Sequence, residues 1–188
     1  NGQSKWISNT YSRSEVHAIR ADFDAIVIGG NTLRNDDPLL TSRGKKDPEP
    51  LRVVFTKTLN LPIHSKLWDT DISKTLVVYD ASSANEKNLK RIPENVKVEK
   101  LQSDNPKLLS ELLAQKGCNN VLWECGAKLA TSAVKQGCIQ EFFTFIAPKI
   151  LGGDNAMNPF SDLQFTSMDE VLNLKLSKIQ RFDDDIFL

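Results

Sequence analysis

Short all-apolar runs recur along the chain, and amphipathic stretches separate them. Ala25-Ile-Val-Ile28 is apolar at every position and stops at Gly29-Gly30, the pattern of a strand buried on both faces and ended by a turn. Similar runs at Leu51–Phe55, Thr75–Tyr79, Val96–Leu101, Val121–Trp123 and Phe142–Ile146 predict further strands. Pro106–Lys116 places Leu108, Leu109, Leu112 and Leu113 on one face, opens with proline and stops at Gly117, as a covering helix does. Ala127–Gln136 likewise ends at Gly137, and Asn85–Arg91 predicts a shorter helix. Ahead of the first strand, Ser14–Ala21 carries Val16, Ile19 and Arg20 at helical spacing behind two cap residues, Ser12 and Ser14, with Glu15 near the positive helix end. Strands alternating with helices predict an α/β domain on a mainly parallel sheet. The last stretch differs: Leu172–Ile179 alternates apolar and polar, which predicts an antiparallel strand with one wet face, turned by Asp183-Asp-Asp185 into Ile186–Leu188.

Composition narrows the function classes. A chain of 188 residues predicts a single domain over 1–188, and its 40% hydrophobic content is ample for one core. Twenty-four basic against 24 acidic residues leave no net charge, so the basic footprint of a general nucleic-acid binder is missing. No apolar run approaches the roughly 20 residues that span a bilayer. Three cysteines, Cys118, Cys125 and Cys138, without C-x-x-C spacing predict free thiols and a cytoplasmic protein. With only His17 and His64, far apart, no metal site is expected. The chain opens Asn-Gly-Gln-Ser-Lys without a leader, and residue 1 reads as a cut edge.

Two places combine a strand end, small residues and a helix start, where open α/β sheets bind ligands. These are Ile28-Gly-Gly-Asn-Thr32 and Trp123-Glu-Cys-Gly-Ala-Lys128. Each is either an ordinary turn or a cradle whose free amides suit a phosphate. Asn35–Arg43 between them reads either as a solvated loop or as part of the cleft wall, and Arg20 either as a helix-surface residue or as a ligand. Glu124, directly after an apolar strand, is either a polar strand end or an acid that meets a ligand's donor group.

Read in order, several motifs resemble one family. Gly2-Gln-Ser-Lys-Trp6, Val16-His17-x-x-Arg20-Ala21, Asp24-Ala-Ile-x-x-Gly29-x-x-Thr32, Asp36-Asp-Pro-x-Leu-Thr41-x-Arg43, Glu124-x-Gly126-x-x-Leu129 and Ala147-Pro-Lys-Ile-Leu-Gly-Gly153 resemble the reductase half of the bifunctional riboflavin-biosynthesis deaminase/reductases. The resemblance implies a dihydrofolate-reductase-like fold: a mainly parallel twisted sheet flanked by helices, with antiparallel C-terminal strands. It implies NADPH as cofactor and reduction of 5-amino-6-(5-phosphoribosylamino)uracil at C1' of the ribosyl group. Carried over by motif, Ser4, Arg20, Leu40 and Arg43 surround the phosphoribosyl group and Glu124 meets the rest of the substrate, as the single ionisable candidate for catalysis. Trp6, Thr32 and Asp36 line the cofactor, and Gly126, Ala127, Lys128, Leu129, Ala130, Thr131 and Ser132 place helix-start amides against its pyrophosphate.

Position and charge alone set Lys57 where an adenosine 2'-phosphate would be met. The family's usual first strand, with a Lys and a Ser-Leu-Asp-Gly run, and its zinc deaminase half are expected upstream of residue 1. Ala127 stands where the family often has glycine, a departure that matters if the position needs positive φ. A homodimer is implied by the family and by the alternating C-terminal strand. Two other readings stay open: a non-catalytic nucleotide-binding module, and a related reductase acting on another pterin or pyrimidine. Converging Arg20 and Arg43 favour a phosphorylated substrate over the latter.

Overall fold

A computed structural model of the chain describes residues 6–152, 156 and 158–188. Strand β1 (Ala25–Gly29) lies inside a parallel sheet, with β2 (Leu51–Thr56) on one side and β5 (Val121–Trp123) on the other. Strands β3 (Thr75–Asp80) and β4 (Lys97–Leu101) follow outward from β2, giving the order β4-β3-β2-β1-β5. Ala25 through Ile28 are wholly buried because both faces of the sheet are covered. Alternation sends Ile26 and Ile28 to a core with Leu33, Leu40 and Val54, whereas Ala25 and Val27 meet Leu109 and Leu113 on the other face.

Helix α1 (Thr10–Ala21) precedes β1, α2 (Gly30–Asp36) follows it, and α3 (Pro106–Gln115) and α4 (Ala127–Lys135) flank β5 in the chain. α3 matches its sequence pattern in detail: Asn105 caps it through Lys107 N at 2.8 Å, Pro106 opens it, and Gly117 beyond its end takes φ 87°. α1 starts earlier than its pattern predicts. Asn9, not Ser12 or Ser14, accepts from Ser12 N at 2.9 Å and caps it. Ser12 is instead buried inside the helix, where its hydroxyl donates to Asp185 at 2.7 Å. The segment after Asn85 is a 3₁₀ turn, Glu86–Arg91, with no buried face to extend it into an α-helix.

A second sheet is antiparallel, ordered β6-β8-β7, with β6 at Phe145–Ile146, β7 at Gln180–Phe182 and β8 at Asp185–Phe187. The predicted strands Phe142–Ile146 and Leu172–Ile179 are therefore corrected: the first is shorter and the second carries no ladder. The hairpin turns at Asp183, φ 56°, and pairs Gln180 with Phe187. Among the described residues the ladder stops at Gln180, and Leu172–Ile179 pairs with no strand. Phe143, Phe145, Phe182 and Phe187 stack around β8 instead. Between β5 and β6 runs a cavity of about 690 Å³, lined by Leu122 and Trp123 on one side and Phe142, Phe143 and Phe145 on the other.

Asp185 joins the hairpin to α1, accepting from Asn9 N and Ser12 Oγ, both at 2.7 Å. The Ser12 hydroxyl, followed by the Asn9 amide, holds its carboxyl below the ordinary value of 3.8. The stability it contributes is thus complete above that ordinary value and is lost as pH falls through the lower folded value. Denaturant titrations at stepped pH should show Asp185→Asn already weakened at neutral pH and losing less than the wild type below pH 3.8.

Candidate active site

The loop Asp37–Arg43 is held in a conformation that few side chains adopt. Asp37, Leu40 and Arg43 have φ of 39°, 51° and 58°, each costing about 1 kcal/mol or more unless the surroundings enforce it. The surroundings do. Asp37 Oδ1 accepts from Ser65 Oγ at 2.7 Å and Lys66 N at 3.0 Å, and Leu40 is 2% exposed. Beneath them Arg52, which the sequence pattern absorbs into an apolar strand, is wholly buried and donates to the carbonyls of Leu39, Leu67, Asp69 and Ser73. Glu49 accepts from Ser42 N at 2.6 Å and Gly44 N at 2.8 Å, bracing the turn that carries Arg43. Burial pushes the Glu49 carboxyl up, but those amides and the nearby Arg20 outweigh it and hold it below its usual range.

Arg20, on the last turn of α1, reaches across to the loop after β5. Its Nε and Nη2 donate to the two Glu124 oxygens at 2.7 and 2.8 Å, a two-pronged pair with side chains 13% and 24% exposed. Arg20 Nη1 donates to Thr41 O at 3.1 Å, and His17 Nδ1 lies 3.1 Å from the same carbonyl. One turn before Arg20, the imidazole is 3.3 Å from the Arg20 guanidinium and close enough to Arg43 to feel its charge. Burial first, then Arg20 and Arg43, hold His17 below its ordinary 6.5 despite the Thr41 carbonyl and Glu124. Arg20, Arg43 and Glu124 therefore gather at one place, with Leu40 buried in the same loop. Arg20 and Glu124 are partners of each other, which their separation in the chain does not disclose. His17 joins them unannounced except by its helical spacing to Arg20. Ser4 lies outside the described residues.

The turns after β1 and β5 touch, since these strands are neighbours. A Cβ on Gly29 would sit 3.8 Å from Leu129, and one on Gly126 would sit 4.0 Å from Thr32 Oγ1. α4 begins at Ala127 with no side-chain cap, and its capping residue Gly126 has φ −72°, so alanine at 127 demands no left-handed backbone. The stretch Gly126–Ser132 divides. Gly126, Ala127 and Lys128 form the helix start, Leu129 packs toward the core, and Ala130 faces the cavity between the sheets. The Thr131 hydroxyl is tied to the Ser161 backbone at 2.8 Å, and Ser132 continues the helix. Thr32 is half-buried and Asp36 exposed at the end of α2. Trp6 is 66% exposed, with the Arg13 guanidinium 4.3 Å from its ring centre and Lys149 donating to its carbonyl at 3.0 Å. Lys57 forms a surface pair with Asp104 at 3.2 Å.

Cys125, between Glu124 and Gly126, is inert as a nucleophile because burial pushes its thiol up to about 11. Among the described residues no group of three or more His, Cys, Asp or Glu side chains could hold a metal, and no helix is long and apolar enough to cross a membrane.

The fold defines an α/β domain of the dihydrofolate-reductase type, with the Arg20–Glu124 pair and the two glycine turns at the carboxyl ends of β1 and β5. The chain belongs to the RibD C-terminal domain family, which it matches over residues 1–188, and this is a family of reductase domains of riboflavin biosynthesis. It is 42% identical to the riboflavin biosynthesis protein RibD of Synechocystis over 91% of this chain and 46% of that protein. It is 38% identical to the riboflavin biosynthesis protein PYRR, chloroplastic, of Arabidopsis thaliana, over 92% of this chain and 29% of that protein. The solved structure of Acinetobacter baumannii RibD superposes with TM-score 0.81 at 27% identity, over all of this chain and 51% of that one. The chain thus spans half or less of the length of these relatives.

Close packing at the cleft separates two of its glycines. A Cβ on Gly30 would lie 2.9 Å from Thr56 Oγ1 and 3.2 Å from Leu61, whereas one on Gly126 would meet only Thr32 Oγ1 at an ordinary 4.0 Å. Gly30→Ala should cost about 1–3 kcal/mol in denaturant unfolding by overpacking, and Gly126→Ala should leave the unfolding midpoint close to that of the wild type.

Proposed function

We propose that this chain reduces 5-amino-6-(5-phosphoribosylamino)uracil to 5-amino-6-(5-phosphoribitylamino)uracil with NADPH. The observation that carries the reading is the gathering of Arg20, Arg43 and Glu124 beside the contiguous β1 and β5 turns. Two guanidinium groups at one place suit a phosphomonoester through forked charged hydrogen bonds, and the Glu124 oxygens accept from amino or hydroxyl donors. Arg20 spans both parts: its fork orients Glu124 while its third nitrogen fixes Thr41 and so the loop bearing Arg43. Leu40 and Ser4 complete the substrate side.

The uncapped start of α4 and the space at Gly126 fit a dinucleotide pyrophosphate. Trp6, Thr32, Asp36 and the residues Gly126 through Ser132 would hold it. When bound, the reduced nicotinamide supplies the hydride that C1' accepts as the opened ribosyl imine takes a proton on nitrogen. The chain's own contribution is to orient the two ligands and exclude water. Glu124 acts as an orienter, because both its oxygens already accept from Arg20. The cavity between β5 and β6 supports a further part of the reading: an extended segment of a longer protein, seated between these two strands, would join both sheets.

Loss of absorbance at the reduced-nicotinamide band, dependent on the phosphoribosylamino substrate, tests the reaction. Arg43→Gln should lower kcat/KM by roughly ten- to a hundredfold, the worth of one charge-assisted hydrogen bond, chiefly through KM. Cofactor binding without turnover would point to a nucleotide-binding module, and an Arg43→Gln variant with unchanged kcat/KM would point to a substrate without phosphate.

We also propose a homodimer paired along Leu172–Ile179, whose Leu174, Leu176 and Ile179 are 58–69% exposed. Sedimentation at micromolar concentration should give twice the chain mass, and Leu176→Lys should give the monomer. A monomeric wild type would remove the proposal.

A further inference from the structure

We propose that His17 is the third cation of the phosphate site, an imidazole that takes up a proton from solvent as the anion docks between Arg20 and Arg43. The inference rests on the reading that these arginines hold a phosphate group. The charged groups facing the imidazole are Arg20 on its own helix, Arg43 on the Asp37–Arg43 loop and Glu124 on the loop after β5, with Thr41 O as the polar neighbour.

The hydrogen-bond geometry assigns the proton positions. Nδ1 lies 3.1 Å from Thr41 O and 3.3 Å from Arg20 Nη1. Only an Nδ1 that carries hydrogen can donate to the carbonyl, and only a bare Nδ1 can accept from the guanidinium. The shorter contact favours Nδ1–H. Nε2, which has no hydrogen-bond partner among the described residues, is then the atom where a second proton enters.

Charge balance supplies the reason for entry. The charges that act on the neutral imidazole, Arg20, Arg43 and Glu124, sum to one positive charge, and the two arginines repel a further proton. A phosphomonoester brings about two negative charges at neutral pH. That reverses the sign of the charge around the imidazole, and protonating His17 offsets it while adding a donor for the anion. Binding therefore raises the proton affinity of the imidazole, and by linkage the anion binds more tightly as pH falls.

Sulfate is the probe, because its charge stays constant across about pH 6–8 while that of phosphate does not. Calorimetric titration of this chain with sulfate, in two buffers of different ionisation enthalpy, should show net proton uptake of up to one per sulfate. Affinity should weaken as pH rises, about tenfold if docking raises the His17 value by one unit. His17→Gln should bind sulfate with no proton uptake and no pH slope. In the wild type, the His17 ring resonance should titrate at higher pH with sulfate present; this holds whether or not the variant folds. A pH-independent affinity, a slope that survives in His17→Gln, or an unmoved His17 titration would overturn the inference and leave the phosphate reading standing. Absence of sulfate binding, or binding unaffected by Arg43→Gln, would overturn both.

Discussion

The fork between Arg20 and Glu124 is the contact on which the site depends, because it closes a long loop of chain with a single side chain. Glu124 follows β5, Arg20 ends α1, and Thr41 belongs to the loop beyond α2, yet one guanidinium meets all three. Half-hidden from water, each charge has lost part of its hydration, and the two-pronged geometry recovers it. Removing either partner would leave a half-buried charge, and removing Arg20 would also take one of two donors from the Thr41 carbonyl, loosening the tie between α1 and the loop bearing Arg43. The fork thus determines where the arginines stand as well as stabilising them.

The strained loop is the complement of that fork. Three residues other than glycine in the left-handed region would relax if the loop were free. They are held from below by Arg52, from one end by Asp37 on Ser65 and Lys66, and from the other by Glu49 on Ser42 and Gly44. Arg52 is a buried cation satisfied almost wholly by backbone carbonyls. Three of the carbonyls come from the connection between β2 and β3 and the fourth, Leu39, from the strained loop, so it ties the two segments together. Asp37, Ser42 and Glu49 therefore serve the geometry of the loop, Leu40 anchors it in the core, and the Arg43 side chain is left exposed.

Local pattern made β1, β2, β3, β5, α3 and α4 legible, since each is decided by which face is buried and by its own capping chemistry. Ile26 and Ile28 go one way and Ala25 and Val27 the other whatever the rest of the chain does. The misreadings share one cause: the deciding partner is far away in the chain. Ser12 looked like a cap until Asp185 recruited its hydroxyl, and Asn9 took the cap. Leu172–Ile179 alternates as an edge strand does, but alternation names a face and not a partner. In the site, the motifs brought out Arg20, Arg43 and Glu124 singly. That two of them neutralise each other, and that His17 lies against Arg20 and feels the charge of Arg43, follows only when α1 is laid across the carboxyl end of β5.

The state of the second sheet follows from the same logic of partners. β5 has β1 on one edge and a cavity on the other, and its residues are only half-buried, unlike the four residues at the heart of β1. β6 is two residues long and relies on stacked phenylalanines more than on its ladder. Such rings hold a short hairpin by area, about 25 cal/mol for each Å² taken from water, but area is indifferent to register. Register comes from Asp185, whose carboxylate fixes the turn of the hairpin on Asn9 and Ser12 at the start of α1. Because α1 also carries His17 and Arg20 on its later turns, the helix connects the second sheet to the arginine cluster. A displacement of the hairpin along α1 would therefore reach His17 and Arg20 through a rigid element, with no intervening loop to absorb it.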